Sequence, residues 1–197
     1  MSEYLLLPFV EFEIRLGTLS KTFDNGLDKK YFNIIKENLI AKRNYFKTIE
    51  TKTTTELINK NLKYDLEKNT LLMKENVLNK TFSLSSSPFD IKLSINQEFN
   101  LNSYAPSFNK NTICITRKKE RTSFIHPDFR YDLTIVNETI NNITREKYEI
   151  EIELLVNNET LMWSTDYIND FIECKIYDLV KIVEPIEREK FKIKLFV

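Results

Sequence analysis

Glu149, Glu151 and Glu153 alternate with Ile150, Ile152 and Leu154, and no other feature constrains the chain as much. Period-two spacing is the mark of a strand, because successive side chains leave a strand on opposite faces. The alternation recurs four more times. Glu11, Glu13 and Arg15 oppose Val10, Phe12, Ile14 and Leu16. Lys92, Ser94, Asn96 and Glu98 oppose Ile91, Leu93 and Ile95. Arg117, Lys119 and Arg121 share a face, and Arg130, Asp132 and Thr134 oppose Tyr131, Leu133 and Ile135. An antiparallel sheet with one wet face alternates in this way, with mixed charges. Two details point further. One strand carries three acids in succession on its face and another three bases, an arrangement that like-charge repulsion disfavours on an ordinary surface. The opposing apolar faces are bulky and unbroken, as expected where something packs outside them.

A closed antiparallel barrel reconciles both details. Its apolar exterior is covered by helices and loops, and its interior has Glu on one wall and Arg/Lys on another. About eight strands leave room for side chains or one small ligand. The expected fold is therefore mainly β (α+β), a closed antiparallel β-barrel of about eight strands forming a charged tunnel with flanking helices. A lumen with both charge clusters suits a divalent cation plus a polyanion. Hard oxygen ligands select Mg²⁺ or Mn²⁺, and Arg and Lys neutralise phosphate oxygens.

Composition removes competing classes. The 197 residues include two glycines, so a Gly-rich dinucleotide or Walker loop is excluded. A single histidine, His126, excludes a His-rich metal site and disfavours His-centred triads. Two cysteines, Cys114 and Cys174, cannot make a disulfide framework and fit a reducing compartment. No apolar stretch has the length of a membrane helix. The first residues lack a basic region and a small-residue cleavage site, so they are not expected to be a signal peptide. The 29 Lys+Arg and 29 Asp+Glu cancel, which argues against nucleic-acid binding through bulk charge but leaves a locally charged cavity open. The length fits a single domain over 1–197.

Two helices are expected. Residues 28–42 place Phe32, Ile35, Leu39 and Ile40 on one face behind an Asp28 cap. Residues 164–183 follow Ser164 or Thr165 and end before Pro185. Strands are expected at 9–16, 46–58, 61–66, 70–74, 89–98, 111–121, 129–136, 146–156 and 190–196, with turns at 85–88, 104–110, 126–128 and 157–158. His126 reads as a loop residue, Cys114 and Cys174 as buried thiols, and Trp163 as a packing anchor. The final segment, with Lys190, Lys192 and Lys194, reads as an extra strand or solvated edge rather than a tunnel wall.

At these residues the chain resembles the triphosphate tunnel metalloenzymes, specifically the fungal, protozoan and viral RNA 5′-triphosphatases of mRNA capping. The stretch Glu11-Phe-Glu13-Ile-Arg15-Leu-Gly17 is similar to the family's first-strand Glu-x-Glu motif. Phe23-x-x-Gly26 before a short helix is similar to its next segment, and the stretch from Pro88 to Glu98 to its middle basic-to-acidic strand. Arg117-x-Lys119-x-Arg121, Arg130-x-Asp132-x-Thr134 and Glu149-x-Glu151-x-Glu153 match the last three motifs. The resemblance covers most of 9–156, with the motifs in the family's order.

The resemblance implies roles. Glu11, Glu13 and Glu153 would bind the metal. Arg117, Lys119 and Arg121 would hold the triphosphate, with Lys92 and Arg15 also facing substrate. Arg130 and Asp132 would form a supporting ion pair, Glu98 and Glu151 would position or activate water, and Glu149 would hold neighbouring basic side chains. A basic residue is also expected from each of two strands between 58 and 84. Lys60 or Lys63, and Lys74 or Lys80, are the candidates, with Lys63 and Lys80 preferred. The implied activity is metal-dependent removal of the γ-phosphate from nascent RNA 5′ ends. A tripolyphosphatase or NTP hydrolase of the same fold, and a non-catalytic triphosphate-end binding module, are the alternatives. Paired Glu-x-Glu strands argue against the module, since an anion binder gains nothing from an acidic wall. The expected partners are 5′-triphosphate RNA, NTP and an RNA guanylyltransferase, with no membrane. A monomer is expected, located inside the cell, in the nucleus or, for a viral protein, the cytoplasm.

Overall fold

The computed structural model describes residues 2–84, 87–109, 115–185 and 191. After a short helix α1 (Ser2–Leu5) come strands β1 (Val10–Leu19) and β2 (Phe23–Asp24), then helix α2 (Lys29–Ala41). Seven strands follow: β3 (Thr48–Asn59), β4 (Leu62–Asp65), β5 (Thr70–Ser83), β6 (Asp90–Asn100), β7 (Ile115–Ile125), β8 (Phe129–Ile140) and β9 (Ile143–Leu154). Helix α3 (Thr165–Val183) is the last element. The sheet order is β2-β1-β6-β5-β4-β3-β7-β8-β9, with β9 returning to pair with β1. Every pairing is antiparallel. Eight strands thus close a barrel, and β2 is a short appendage on β1. Closure removes the free sheet edges that would otherwise template aggregation.

The expected parity holds. Phe12, Ile14 and Leu16 of β1, Ile91, Leu93 and Ile95 of β6, and Ile150, Ile152 and Leu154 of β9 are buried outside the barrel. They form one core with Phe32, Ile35 and Leu39 of α2 and Ile168, Ile172, Ile176 and Leu179 of α3. Each fully buried aliphatic or aromatic side chain contributes about 1.5–3 kcal/mol relative to exposure. A smaller cluster of Leu57, Tyr64, Leu71 and Ala105 closes the far side, where a turn of 3₁₀ helix (Asn102–Ser107) covers β3–β5. Both helix caps are as expected: Asp28 accepts from the Lys30 amide at 2.7 Å, and Ser164 from the Tyr167 amide at 3.2 Å. Ile40, expected on the apolar face of α2, is instead 47% exposed, because that face narrows to Phe32, Ile35 and Leu39.

Other expectations are adjusted. β5 runs to Ser83 rather than ending near 74, because a bulge between Asn76 and Leu78 lets it continue along β6. β8 and β9 extend to a tight hairpin at Asn141 and Asn142, whose φ values of 49° and 63° are left-handed. Asn tolerates that region, and a type I′ turn requires it at both positions. Cys174 is half-buried rather than buried. Cys114 and residues 111–114 lie outside the described residues. So does the 190–196 strand except Phe191, which packs on Tyr177 with ring centroids 5.4 Å apart. His126 stacks between Tyr45 and Phe129 in the β7–β8 turn, and Trp163 packs on Tyr167 and Phe171, as expected.

Gly17 is needed where β2 folds back on β1. A Cβ there would collide with the Asp24 carbonyl oxygen and the Phe23 ring. Gly17→Ala is expected to destabilise the chain by about 1–3 kcal/mol, the usual cost of overpacking. A shift in the urea unfolding midpoint at unchanged slope would measure it.

Candidate active site in the barrel lumen

The inner face of β1 presents Glu11, Glu13 and Arg15, and register sets what each meets. Glu13 lies opposite Glu153 and Arg15 opposite Glu151 across the closing β1–β9 seam. On the other side of β1, Arg15 lies opposite Lys92, Glu13 opposite Ser94 and Glu11 opposite Asn96. The barrel then continues through Lys74 opposite Glu98, Glu56 opposite Arg117, Arg121 opposite Thr134, and Thr134 opposite Glu149. Of the sequence-derived site residues, all but Lys80 face the lumen.

Lys80 lies outside the tunnel. Counting in twos from Lys74 would point it inward, but the bulge after Asn76 reverses the parity of β5. Leu78, Lys80 and Phe82 therefore pair with Ile95, Leu93 and Ile91 on the outer face. The bulge leaves Lys74 as the β5 cation of the lumen. Lys63 enters from β4, with Nζ 3.4 Å from Glu98, and Lys60 lines the mouth at the β3–β4 turn.

The lumen is a lattice of ion pairs. Arg121 is its hub, donating to Thr134 at 3.2 Å, to Asp132 at 3.0 Å and to Glu151 at 3.2 Å. Arg15 donates to Glu151 at 2.9 Å and Glu13 at 3.2 Å, so it braces two carboxylates while lining the larger cavity of the lumen. Arg130 donates to Asp132 at 2.9 Å and Glu153 at 2.5 Å, the supporting pair expected from sequence. Arg117 pairs with Glu149 and, at 3.5 Å, Glu138. Lys119 pairs with Glu56, and Lys74 with Glu11 and Glu13.

These neighbours set the proton affinities. Burial alone would raise the Glu151 carboxyl, but Arg15, Arg121, Lys119 and Lys74 outweigh it and hold Glu151 far below the carboxylate range. Glu153 goes the other way. Burial first, then Glu11, Asp132 and Glu151, push it up to about 8 against the pull of Arg130. Glu13 is also raised, by burial and then Glu151 and Glu11, despite Arg15 and Lys74. Burial lowers Lys119, with Arg117 and Arg121 adding to it and Glu56 opposing.

Glu56, Glu138 and Lys147 were not singled out from sequence. Glu56 sits in TIETKTTTELIN, where threonines make both faces polar, so alternation alone cannot say which face is inside. Its pairing with Lys119 is buried on both sides. Glu56→Gln is expected to lower stability by about 3 kcal/mol, because buried Lys119 loses the one group that holds its proton against burial, Arg117 and Arg121. A urea melt checks it, with the double variant Glu56→Gln/Lys119→Met recovering part of the loss.

Two cavities, of about 390 and 280 Å³, share Glu56, Lys63 and Lys119 and occupy the two ends of the lumen. The larger is rich in cations: Arg15, Lys60, Lys63, Lys74, Lys92, Arg117 and Lys119 against Glu13 and Glu56. The smaller holds Glu11, Glu56, Asp65 and Glu98 among its cations. Among the described residues, Asn96 Nδ2 is buried in the larger cavity's lining without a hydrogen-bond partner, and Arg117 Nε has only the long 3.5 Å approach to Glu138, two donors suited to anionic oxygens. Among the described residues, no three acidic, His or Cys side chains already converge as a metal-ligand set. Lys74 sits between Glu11 and Glu13, and Arg130 on Glu153.

The model of the family described as mRNA capping enzyme, beta chain, matches residues 6–181. No curated protein matches the sequence. The solved structure of the Schizosaccharomyces pombe RNA triphosphatase Pct1 superposes with a TM-score of 0.73 at 16% identity, over 91% of this chain and 88% of that one. Pct1 in complex with the Spt5 CTD gives 0.68 at 17% identity, over 91% and 90%. The mimivirus capping enzyme triphosphatase gives 0.58 at 16% identity, over 91% and 95%. At such identities the structural likeness speaks for the fold, and the family match extends it across the barrel and both packed helices. With a closed barrel, a lumen of interleaved acids and bases and the family match over 6–181, the chain belongs to the mRNA capping enzyme beta chain family of RNA 5′-triphosphatases.

Proposed function

We propose that the lumen removes the γ-phosphate from the 5′-triphosphate end of nascent RNA with a divalent cation, Mg²⁺ or Mn²⁺, as the first step of mRNA capping. The observation that carries this reading is the meeting of two unlike strands in one lumen: Arg117, Lys119 and Arg121 on β7, one strand removed from Glu149, Glu151 and Glu153 on β9, which closes in turn on Glu13 and Arg15 of β1. Phosphoryl transfer needs positioning and charge stabilisation more than covalent help. Among the described residues the lumen holds no histidine or cysteine, and its serines Ser94 and Ser123 donate to Asn79 and Asp132, an arrangement suited to such transfer.

The donor set fits a hard cation in kind. Glu11, Glu13 and Glu153 supply only oxygens, and Glu13 and Glu153 are both pushed upward, by burial first and then by the neighbouring Glu11 and Glu151. Such a shift is the signature of carboxylates short of positive charge. These three residues would hold the ion, with Lys74 moving off Glu11 and Glu13. When bound, it would offset charge on the γ-phosphate oxygens. Arg117, Lys119 and Arg121 bind and orient the phosphate chain from β7. Asp132, Glu149 and Glu151 keep those cations in place. Glu151 is too weakly basic to take a proton and instead braces Arg15 and Arg121. Glu98, in the lumen beside Lys63 and Lys74, orients the attacking water.

One barrel supplies every one of these groups, which supports a monomeric enzyme. A diphosphate RNA end is the acceptor in guanylyl transfer, so a guanylyltransferase is the proposed partner in sequence, inside the cell where RNA is made. The experiment is release of labelled γ-phosphate from triphosphate RNA, ATP and tripolyphosphate, with Mg²⁺, Mn²⁺ or chelator. Metal-dependent release from RNA, lost in Glu11→Ala and Glu153→Ala, is expected. Release that survives chelation would refute the metal reading, and release from tripolyphosphate but not RNA would refute the RNA reading.

A further inference from the structure

The lumen face does not stop where the barrel closes. β1 pairs with β9 only as far as Leu16 opposite Ile150. Beyond that level β9 continues to Ile143 and β8 to Ile140, with Ile115 of β7 still opposite Ile140 and Ile58 of β3 opposite Ile115. One wall of the tunnel therefore overhangs the other. Parity carries the lumen face outward along it: Lys147, then Glu138 opposite Arg145, then Ile140 opposite Ile143. With Asn141, these residues line a separate cavity of about 290 Å³.

The chemistry of the overhang is unusual for a hairpin tip. Ile140 and Ile143 are 41% and 61% exposed, side by side on one face. Arg145 is exposed next to them and makes no ion pair among the described residues. Arg117 and Lys147, both on Glu138 at 3.5 and 2.9 Å, link the overhang to the basic end of the lumen. The opposite end of the tunnel interleaves Glu11, Glu56, Asp65 and Glu98 with its cations, so the end under the overhang is the more strongly basic of the two.

We propose that this overhang seats the first nucleotides of the RNA as it leaves the tunnel. Arg145 contacts a backbone phosphate, and the Ile140–Ile143 pair packs on the ribose or base of the 5′ nucleoside. The proposal rests on the RNA reading above and adds to it where the body of the RNA lies. Its contacts are to phosphate and to apolar faces, which position RNA without reading its sequence.

The test compares two substrates of the intact chain, triphosphate RNA and inorganic tripolyphosphate, with Arg145→Glu, Ile143→Asp and Arg145→Lys. Both disruptive variants are expected to raise KM for RNA about fivefold or more with kcat nearly unchanged, a single exposed charged or apolar contact being worth about tenfold at most. KM and kcat for tripolyphosphate stay at wild-type values, and Arg145→Lys stays close to wild type on both substrates. Equal changes on the two substrates, or none on either, would overturn the overhang proposal while leaving wild-type RNA turnover intact. Absence of RNA turnover in the wild-type chain would overturn the RNA reading itself, and the overhang with it.

Discussion

Glu151→Ala is expected to reduce γ-phosphate release by more than about 10³-fold, the loss typical when a charge-stabilising group is removed from a preorganised site. It is also expected to lower folding stability by about 3–5 kcal/mol, because a broken buried ion pair leaves its partners uncompensated. Those partners are Arg15, at 2.9 Å, and Arg121, at 3.2 Å. The two effects are separable. Glu151→Gln keeps an acceptor of the same shape, and Arg15 and Arg121 retain Glu13 and Asp132 as counter-ions, so part of the stability returns. Its neutral amide no longer offsets Arg121, and that guanidinium shifts towards Asp132, 3.0 Å away. Activity therefore stays low while the melting temperature recovers in part. A Gln variant as active as wild type would show that Glu151 acts only through packing. Because the surrounding cations hold Glu151 far below the ordinary carboxylate range, the group stays ionised throughout the working pH range. No activity loss on mild acidification should trace to it.

Stability of the metal-free chain is expected to fall between about pH 5 and pH 9, and Mg²⁺ or Mn²⁺ to restore most at the alkaline end. Burial and the neighbouring Glu11, Asp132 and Glu151 push Glu153 up to about 8 from 4.5. A group whose folded value is raised contributes stability that is full below the unfolded value and lost as pH rises through the folded one. The window for Glu153 is therefore about 4.5 to 8, and Glu13 shifts in the same direction. At about 1.4 kcal/mol per unit, the loss reaches a few kcal/mol. The partly exposed side chain brings that to about 2–3 kcal/mol by solvent screening. Glu151 and Glu56 are lowered instead, so their contribution is present above about 4.5 and lost in acid, outside this window. A bound divalent cation at a hundred times its Kd adds about 2.7 kcal/mol. Thermal melts at the two pH values, with chelator or metal, read both effects. Glu153→Gln should flatten the pH dependence and remove most of the metal response. A melting temperature that does not change with pH, or a metal shift untouched by Glu153→Gln, would sink the assignment.

How much of this was legible in advance depended on how strongly each strand separates its faces. Where one face is wholly apolar, as in β1, β6, β8 and β9, alternation identified the lumen side chains one by one, down to Glu13, Asp132 and Glu151. The two helices were legible for a similar reason: Asp28 and Ser164 cap runs with apolar three/four spacing. β3 was not, because Thr51, Thr53 and Thr55 make its second face polar, and Glu56 went unnoticed. β5 misled in a different way. Its alternation is sound up to Asn76, and one extra residue then moves Lys80 to the outer face and keeps Lys74 inside. A bulge is set by the partner strand, and no local pattern announces it.

By itself the sequence determined which side chains share a face, since period two is a property of a single strand's backbone. It also determined that three bases share one face of β7 and three acids one face of β9. Only the tertiary structure decided which acid meets which base. Arg15 meets Glu151, 136 positions away, because closing the barrel fixes the β1–β9 register through hydrogen bonds between distant segments. The same closure made one wall taller than the other, so the inner face runs out past the mouth at Ile140 and Ile143. The physical reason is common to both: side-chain direction is local, whereas register is a contest among long-range pairings that only the closed, fully hydrogen-bonded barrel resolves.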